Sequence, residues 1–292
     1  MSLLIDIVIA GMVVGGMYAL VAMGLTLQYG VARIMNLSYG ESLVVAALGT
    51  HWLFTALAVS PIVGLIVAMP IAFAVNWAIY RVLLVPLVRR AKNQGMLEVD
   101  SILATFGLLF MVQGITLYVF GGQYHSYSYL SIPLNVLGST VAVNRLIALL
   151  FAVVIGGLIY LALTRTRGGT ALRAVAADPV AAGLVAIDVS QASAFAFALG
   201  GSLVAAGGVL VSMFLTFNAS MGVVFTMKAL IVVIMGGVGN LAGTMVAGLL
   251  LGLAETLVAR LFDPGLTLAV NYALFLAVLL LRPTGLFGRA VR

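Results

Sequence analysis

Cysteine is absent from the 292 residues, which excludes disulfide bridges, thiolate nucleophiles, iron–sulfur ligation and a lipoprotein anchor. Charge is nearly as scarce. Asp, Glu, Lys and Arg make up 8% of the chain, against about a quarter in a typical soluble domain. Histidine occurs only at His51 and His125, and neither belongs to an HExxH-type cluster, so metal catalysis lacks a ligand set. No GxxxxGK[ST] string supplies a phosphate cradle, and no serine sits in a GxSxG elbow. The chain therefore reads as no enzyme, with no metal or cofactor of its own, and any ATP that drives it must be used by another subunit. Low-complexity segments and a separable soluble domain are also missing. The start, MSLLIDIVIAG, has no basic region before its apolar run and carries Asp6, so it reads as a membrane helix and not as a cleaved signal.

What the chain has is apolar length. Hydrophobic residues make up 64%, in runs long enough to cross a bilayer: Leu3 to Leu27, Glu41 to Val59, Ile62 to Leu84, Ile102 to Phe120, Leu146 to Leu163, Gln191 to Phe217, Phe225 to Val238, Leu241 to Leu261 and Leu266 to Leu281. These predict an all-α polytopic membrane protein of about eight or nine transmembrane helices, some broken or re-entrant, forming one transmembrane domain over residues 1–292. The net charge of +6 does not point to nucleic acid, because the basic residues flank apolar runs and form no single patch. Alternating the runs across a bilayer puts eleven Lys and Arg on one side and only Arg145, Lys228 and Arg260 on the other. The positive-inside rule then predicts an outside N-terminus, a cytoplasmic C-terminus and an odd number of crossings. The weakest span is Phe225 to Val238, which is short and runs into Gly236, Gly237 and Gly239. A crossing is preferred there, since a re-entrant segment would put the basic tail outside.

The polar interruption from Arg165 to Ser190 organises the chain. Leu172, Val175 and Ala176 share one face of a helical turn, and Val180, Leu184 and Ile187 recur at helical spacing after Asp178-Pro179. Asp178 is an N-cap type and Pro179 suits the first helical position. Two short helices on the cytoplasmic surface follow. They read either as a solvated connector or as a docking element for a cytoplasmic partner. Residues 121–144 form the longest external loop, where Tyr124, Tyr127 and Tyr129 suit an aromatic interface belt.

Two stretches are poor in lipid-like character: YGVARIMNLSYGE, from Tyr29 to Glu41, and MGGVGNLAGT, from Met235 to Thr244. Irregular backbone at membrane depth is tolerated only against protein or a water-filled cavity. Ser38 and Glu41 have capping-box spacing; alternatively Asn36, Tyr39 and Glu41 line a gate, with Asn240 as a second pathway residue. Gly11 with Gly15 and Gly248 with Gly252 are small-xxx-small pairs suited to close helix packing. Lys228 and Glu255, both costly in lipid, are expected to pair. Acidic residues sit mostly at helix ends or in loops, which disfavours an ion-coupled secondary carrier. The absence of a charge ring disfavours a passive channel for a small neutral solute such as urea.

Four stretches together carry a family likeness: ALVAMGLTLQYGVARIMNLSYGE, TRGGTALRAVAADPVAAGLVAID, KALIVVIMGGVGNLAGTMVAGLLLGLAE and LLLRPTGLFG. Through them the chain resembles the permeases of branched-chain amino-acid ABC importers, LivH type, over nearly its whole length. The resemblance implies a bacterial inner-membrane subunit that pairs with a second, similar permease or with itself. It also implies two cytoplasmic ATPase subunits and an extracytoplasmic solute-binding protein as partners. On it, residues 165–190 become the coupling region, with Arg173, Asp178 and Pro179 orienting the element and Leu172 and Leu184 supplying apolar contact. One departure stands out: where the family pattern reads like INFAHG before an acidic residue, this chain has Met35-Asn36-Leu37-Ser38-Tyr39-Gly40-Glu41, so Tyr39 replaces histidine. The cargo stays open among leucine, isoleucine, valine, other amino acids, amides and urea.

Overall fold

Lipid offers no hydrogen bonds to the backbone, so an apolar run must satisfy its own N–H and C=O groups, and a helix does this within one segment. In a computed structural model describing residues 2–136 and 139–288, the runs become α1 (Ser2–Ala32), α2 (Tyr39–Leu57), α3 (Pro61–Ile79), α4 (Val85–Arg90), α5 (Gln94–Phe120), α6 (Val143–Arg165), α7 (Arg167–Ala177), α8 (Pro179–Leu184), α9 (Val189–Ser212), α10 (Gly222–Gly236), α11 (Leu241–Leu261) and α12 (Thr267–Leu281). A five-residue π-helical segment, Tyr80–Leu84, joins α3 to α4. Among the described residues, seven stretches are long and apolar enough to cross a membrane: α1, α3 with α4, α5, α6, α9, α11, and α12 with its preceding turn. The polytopic all-α reading holds.

Besides α7 and α8, two helices fall short of that standard. α2 carries Glu41, Thr50, His51 and Thr55. α10 has fifteen residues, about 22 Å of rise against a hydrocarbon core of ~30 Å. It runs antiparallel to α11, with Lys228 beside Glu255 and Gly236 against Gly243. It begins beside Gly40, at the first turn of α2, and follows residues 213–221, of which Phe217 and Ala219 are buried. Both helices therefore start inside the bundle.

α9 is the axis. It is the most buried span, with 89% of its apolar window enclosed, and it packs against α1, α2 and α3. In lipid, helices associate through close backbone approach more than through hydrophobic burial. The two small-residue pairs meet each other accordingly: a Cβ on Gly252 would run into the backbone of Gly15, and one on Gly248 into that of Ala19. A hydrogen bond of 2.9 Å between Thr26 and Thr244 continues the same α1–α11 seam.

At one end of the bundle, residues 121–136 and 139–144 carry more structure than a simple loop. They end in an antiparallel hairpin, β1 (Pro133–Val136) and β2 (Ser139–Ala142), with Pro133 opposite Ala142. His125 and Phe217 exchange both backbone hydrogen bonds, and Asn144 donates to the Met213 carbonyl at 2.8 Å, tying this loop to the α9–α10 linker. The opposite end carries Arg33, Arg89, Arg90, Lys92, Arg165, Arg167, Arg173 and Arg282; Arg289 and Arg292 lie outside the described residues. There the C-terminal segment forms a strap under the α10–α11 turn. Leu286 N–H donates to the Met235 carbonyl at 2.7 Å, and Asn240 Nδ2 donates to the Phe287 carbonyl at 2.9 Å. Two of the four family-like stretches thus touch.

Candidate functional site

The break between α1 and α2 builds the site. α1 ends at Ala32, Arg33 adopts a left-handed φ of 54°, and the chain turns back into the bundle. Asn36 holds the turn: its Nδ2 donates to Gln28 Oε1 at 3.0 Å, and its Oδ1 accepts from the Ser38 N–H and hydroxyl at 3.1 and 2.7 Å. Gln28 in turn donates to the Phe197 carbonyl at 2.9 Å. Thr105 of α5 accepts from the Leu37 N–H, and Thr226 of α10 accepts from the Gly40 N–H at 2.8 Å. The N–H groups of Leu37, Ser38 and Gly40 and the carbonyls of Met35 and Leu37 thus find side-chain partners, the kind of compensation a non-helical segment at membrane depth requires.

Tyr39 is fully enclosed, its hydroxyl donating to the Val21 carbonyl. It pins α2 to α1 and does not line the cavity between α2, α3 and α5. The capping box is also absent. Ser38 makes no cap to α2, because its hydroxyl is already given to Asn36, and Glu41 does not reach back. Glu41 instead points its carboxyl at Gly222, the first residue of α10, where a Cβ would collide with it. It is 1% exposed, and neither Oε1 nor Oε2 has a hydrogen-bond partner among the described residues.

Glu41 and Asn36 line a cavity of about 410 Å³ between α2, α3, α5 and Ala205 of α9. That volume lies in the range of small-molecule sites, ~300–1,000 Å³. Most of the wall is apolar, from Val45, Val67, Ile71, Val75, Leu108 and Val112 among others. Ser42, Thr50 and Asn76 add polar groups that the sequence reading missed. Their signal was a polar residue within an apolar run, since each costs free energy in lipid unless partnered.

Asn240 does not join this site. It caps α11 through the Gly243 N–H at 3.0 Å and lines a separate cleft of about 700 Å³ at the basic end, with Arg33, Glu98 and Arg173. The same cleft meets α7. Asp178 caps α8, accepting from Val180 and Ala181 at 2.9 and 3.1 Å, with Pro179 at the first helical position. Arg173 donates to the Thr164 carbonyl at 3.4 Å. Leu172, expected to face a partner, packs inward with Val175 in the chain's own core, because α7 folds back against α1, α6 and α9. Val180, Leu184 and Val185 are instead 77%, 84% and 70% exposed.

The structure brings Lys228 and Glu255 to 2.8 Å. Tyr18 and Asn271 donate to the same Glu255 carboxylate at 3.0 and 3.2 Å, and Lys228 also reaches the Tyr18 hydroxyl. At the hairpin end, Tyr127 hydrogen-bonds Ser212 at 2.7 Å and stacks on His51, and burial pushes its phenol up to about 12.

Comparison with known proteins agrees with this architecture. Residues 7–281 match the family model described as "Branched-chain amino acid transport system / permease component". The high-affinity branched-chain amino acid transport system permease protein LivH of Salmonella typhimurium is 31% identical over 300 residues, covering 96% of this chain and 94% of the relative. LivH of Escherichia coli K12 is 30% identical over the same shares, and BraD of Pseudomonas aeruginosa is 31% identical over 299 residues. Among solved structures, a chain of PsaBC from Streptococcus pneumoniae in complex with Fab superposes with a TM-score of 0.54 at 14% identity, covering 98% of this chain and 94% of that one, a likeness of fold alone. The chain belongs to the family of permease components of branched-chain amino acid transport systems.

Proposed function

We propose that this chain is the translocation subunit of an ATP-driven importer for branched-chain or related small amino acids. It forms the path while separate ATPase subunits supply the energy. The observation that carries the reading is the exposed apolar trio Val180, Leu184 and Val185 on a short capped helix whose neighbour α7 is packed into the bundle. Exposed apolar groups beside a basic surface mark a protein contact. A rigid element rooted in the core can transmit a rigid-body movement into the membrane helices, whereas a loose loop would absorb it. On this reading the basic end is cytoplasmic and the hairpin end faces an extracytoplasmic solute-binding protein. The poorly enclosed faces of α3 and α5 meet lipid and a second permease, alike or identical. Asn36 and Glu41 belong to the path, Asn240 holds the cytoplasmic turn, and Arg173, Asp178 and Pro179 set the coupling element.

A second reading, an ion-coupled carrier, draws on the unpartnered carboxyl of Glu41. Proteoliposomes separate the two: the first needs ATP and partner chains, the second a gradient alone. Asp178→Ala should lower ATP-driven uptake while leaving membrane insertion intact, and unchanged uptake in that variant would reject the coupling role.

A further inference from the structure

We propose that Glu41 is the point in the path that recognises the ammonium group of the cargo, while the apolar wall of the same cavity receives a branched hydrocarbon chain. The assignment rests on this chain's being the translocation subunit of an amino-acid importer. Of the polar groups around the cavity, Asn36 and Ser38 bond each other, Thr50 donates to the Ala46 carbonyl and Asn76 donates to the Ala72 carbonyl, which leaves the Ser42 hydroxyl and Glu41. Glu41 alone contributes a carboxyl; its oxygens lie at the edge of the cavity, packed toward Gly222 and without a partner, so an ammonium group reaches them once α2 and α10 part. A polar group in that condition costs free energy unless something donates to it, and a charged one costs far more. No Lys, Arg or His lines this cavity among the described residues. A cargo carboxylate therefore gains no ion pair there from this chain, and the ammonium end carries the recognition. Val45, Val67, Ile71 and Val75 lie along the same cavity, complementary to an isobutyl or sec-butyl chain. Urea or another small amide can donate N–H to a carboxyl but brings neither a positive charge nor a hydrocarbon chain for this wall.

The test uses the complete complex in proteoliposomes. A hydrophobic carbodiimide is allowed to modify Glu41, followed by mass spectrometry, in the presence of leucine, of 3-methylbutylamine, or of 4-methylpentanoate. Leucine and the amine should slow modification, and the acid, which keeps the chain but lacks nitrogen, should not. Equal protection by the acid, or no protection by leucine, overturns the assignment. In the same vesicles Glu41→Gln should lower leucine uptake by roughly 10- to 100-fold, the loss of a hydrogen bond to a charged group, while still co-purifying with its partner chains. Wild-type uptake by that variant also overturns it. If the unmodified complex shows no ATP-dependent leucine uptake at all, the importer reading falls and this one with it. Normal uptake with an unprotected Glu41 removes only the role of Glu41.

Discussion

Replacing Lys228 by Met, Glu255 by Leu, and then both, tests how the bundle tolerates charge. The two side chains are 14% and 15% exposed and 2.8 Å apart, and Glu255 also accepts from Tyr18 and Asn271. Removing either partner leaves the other charge without its counter-ion, a loss of about 3–5 kcal/mol for a buried pair. Independent losses would add to about 6–10 kcal/mol. The double variant, however, strands no charge. It deprives Tyr18 and Asn271 of an acceptor, about 1–3 kcal/mol for each, a cost the Glu255→Leu variant bears equally and which therefore cancels in the comparison. A coupling of at least about 3 kcal/mol is therefore expected between the two positions, read from unfolding of the purified protein in mixed detergent micelles. The reasoning collapses if the double variant loses the sum of the singles, or if each single falls within about 0.5 kcal/mol of wild type.

Gly40→Ala places a methyl group against the Gly222 carbonyl and Thr226; the backbone there cannot swing aside, so a loss of about 1–3 kcal/mol is expected in the same unfolding measurement, and an unchanged midpoint would contradict the α2–α10 contact. Asn240→Ala removes both the cap on Gly243 and the bond to Phe287; hydrogen exchange at Leu286 N–H should speed up, and unaltered protection would mean the strap is held otherwise. The Tyr127 phenol keeps its proton up to about 12 in the folded chain and releases it near 10 when unfolded. Stability should therefore be insensitive to this group below pH ~10 and fall as pH rises from there toward about 12, a decline that Tyr127→Phe should reduce.

How much of this was legible depends on which force set each feature. The helices follow from run length, because a bilayer of fixed thickness demands a fixed number of apolar residues with internal hydrogen bonds. The caps at Asp178 and the pairing partners Lys228 and Glu255 could be named because a local turn or an unpaired charge leaves few choices. The hairpin at 133–142 escaped notice: its alternation is brief and it is held from outside by Asn144 and the His125–Phe217 bridge. Leu172 and Ser38 were assigned to the wrong surroundings, and both errors concern direction and not structure type.

The amino-acid order alone determined that this chain lives in lipid, where its polar interruptions fall and which family it belongs to. Only the folded bundle decided that Glu41 stands unpartnered beside an apolar cavity while Tyr39, two residues earlier, is locked to Val21. It also decided that the C-terminal strap closes on the MGGVGN turn. The reason is physical. A membrane helix is apolar all round, so its periodicity does not mark the inward face. Which side packs is chosen by small residues and hydrogen-bond partners that lie far apart in the chain.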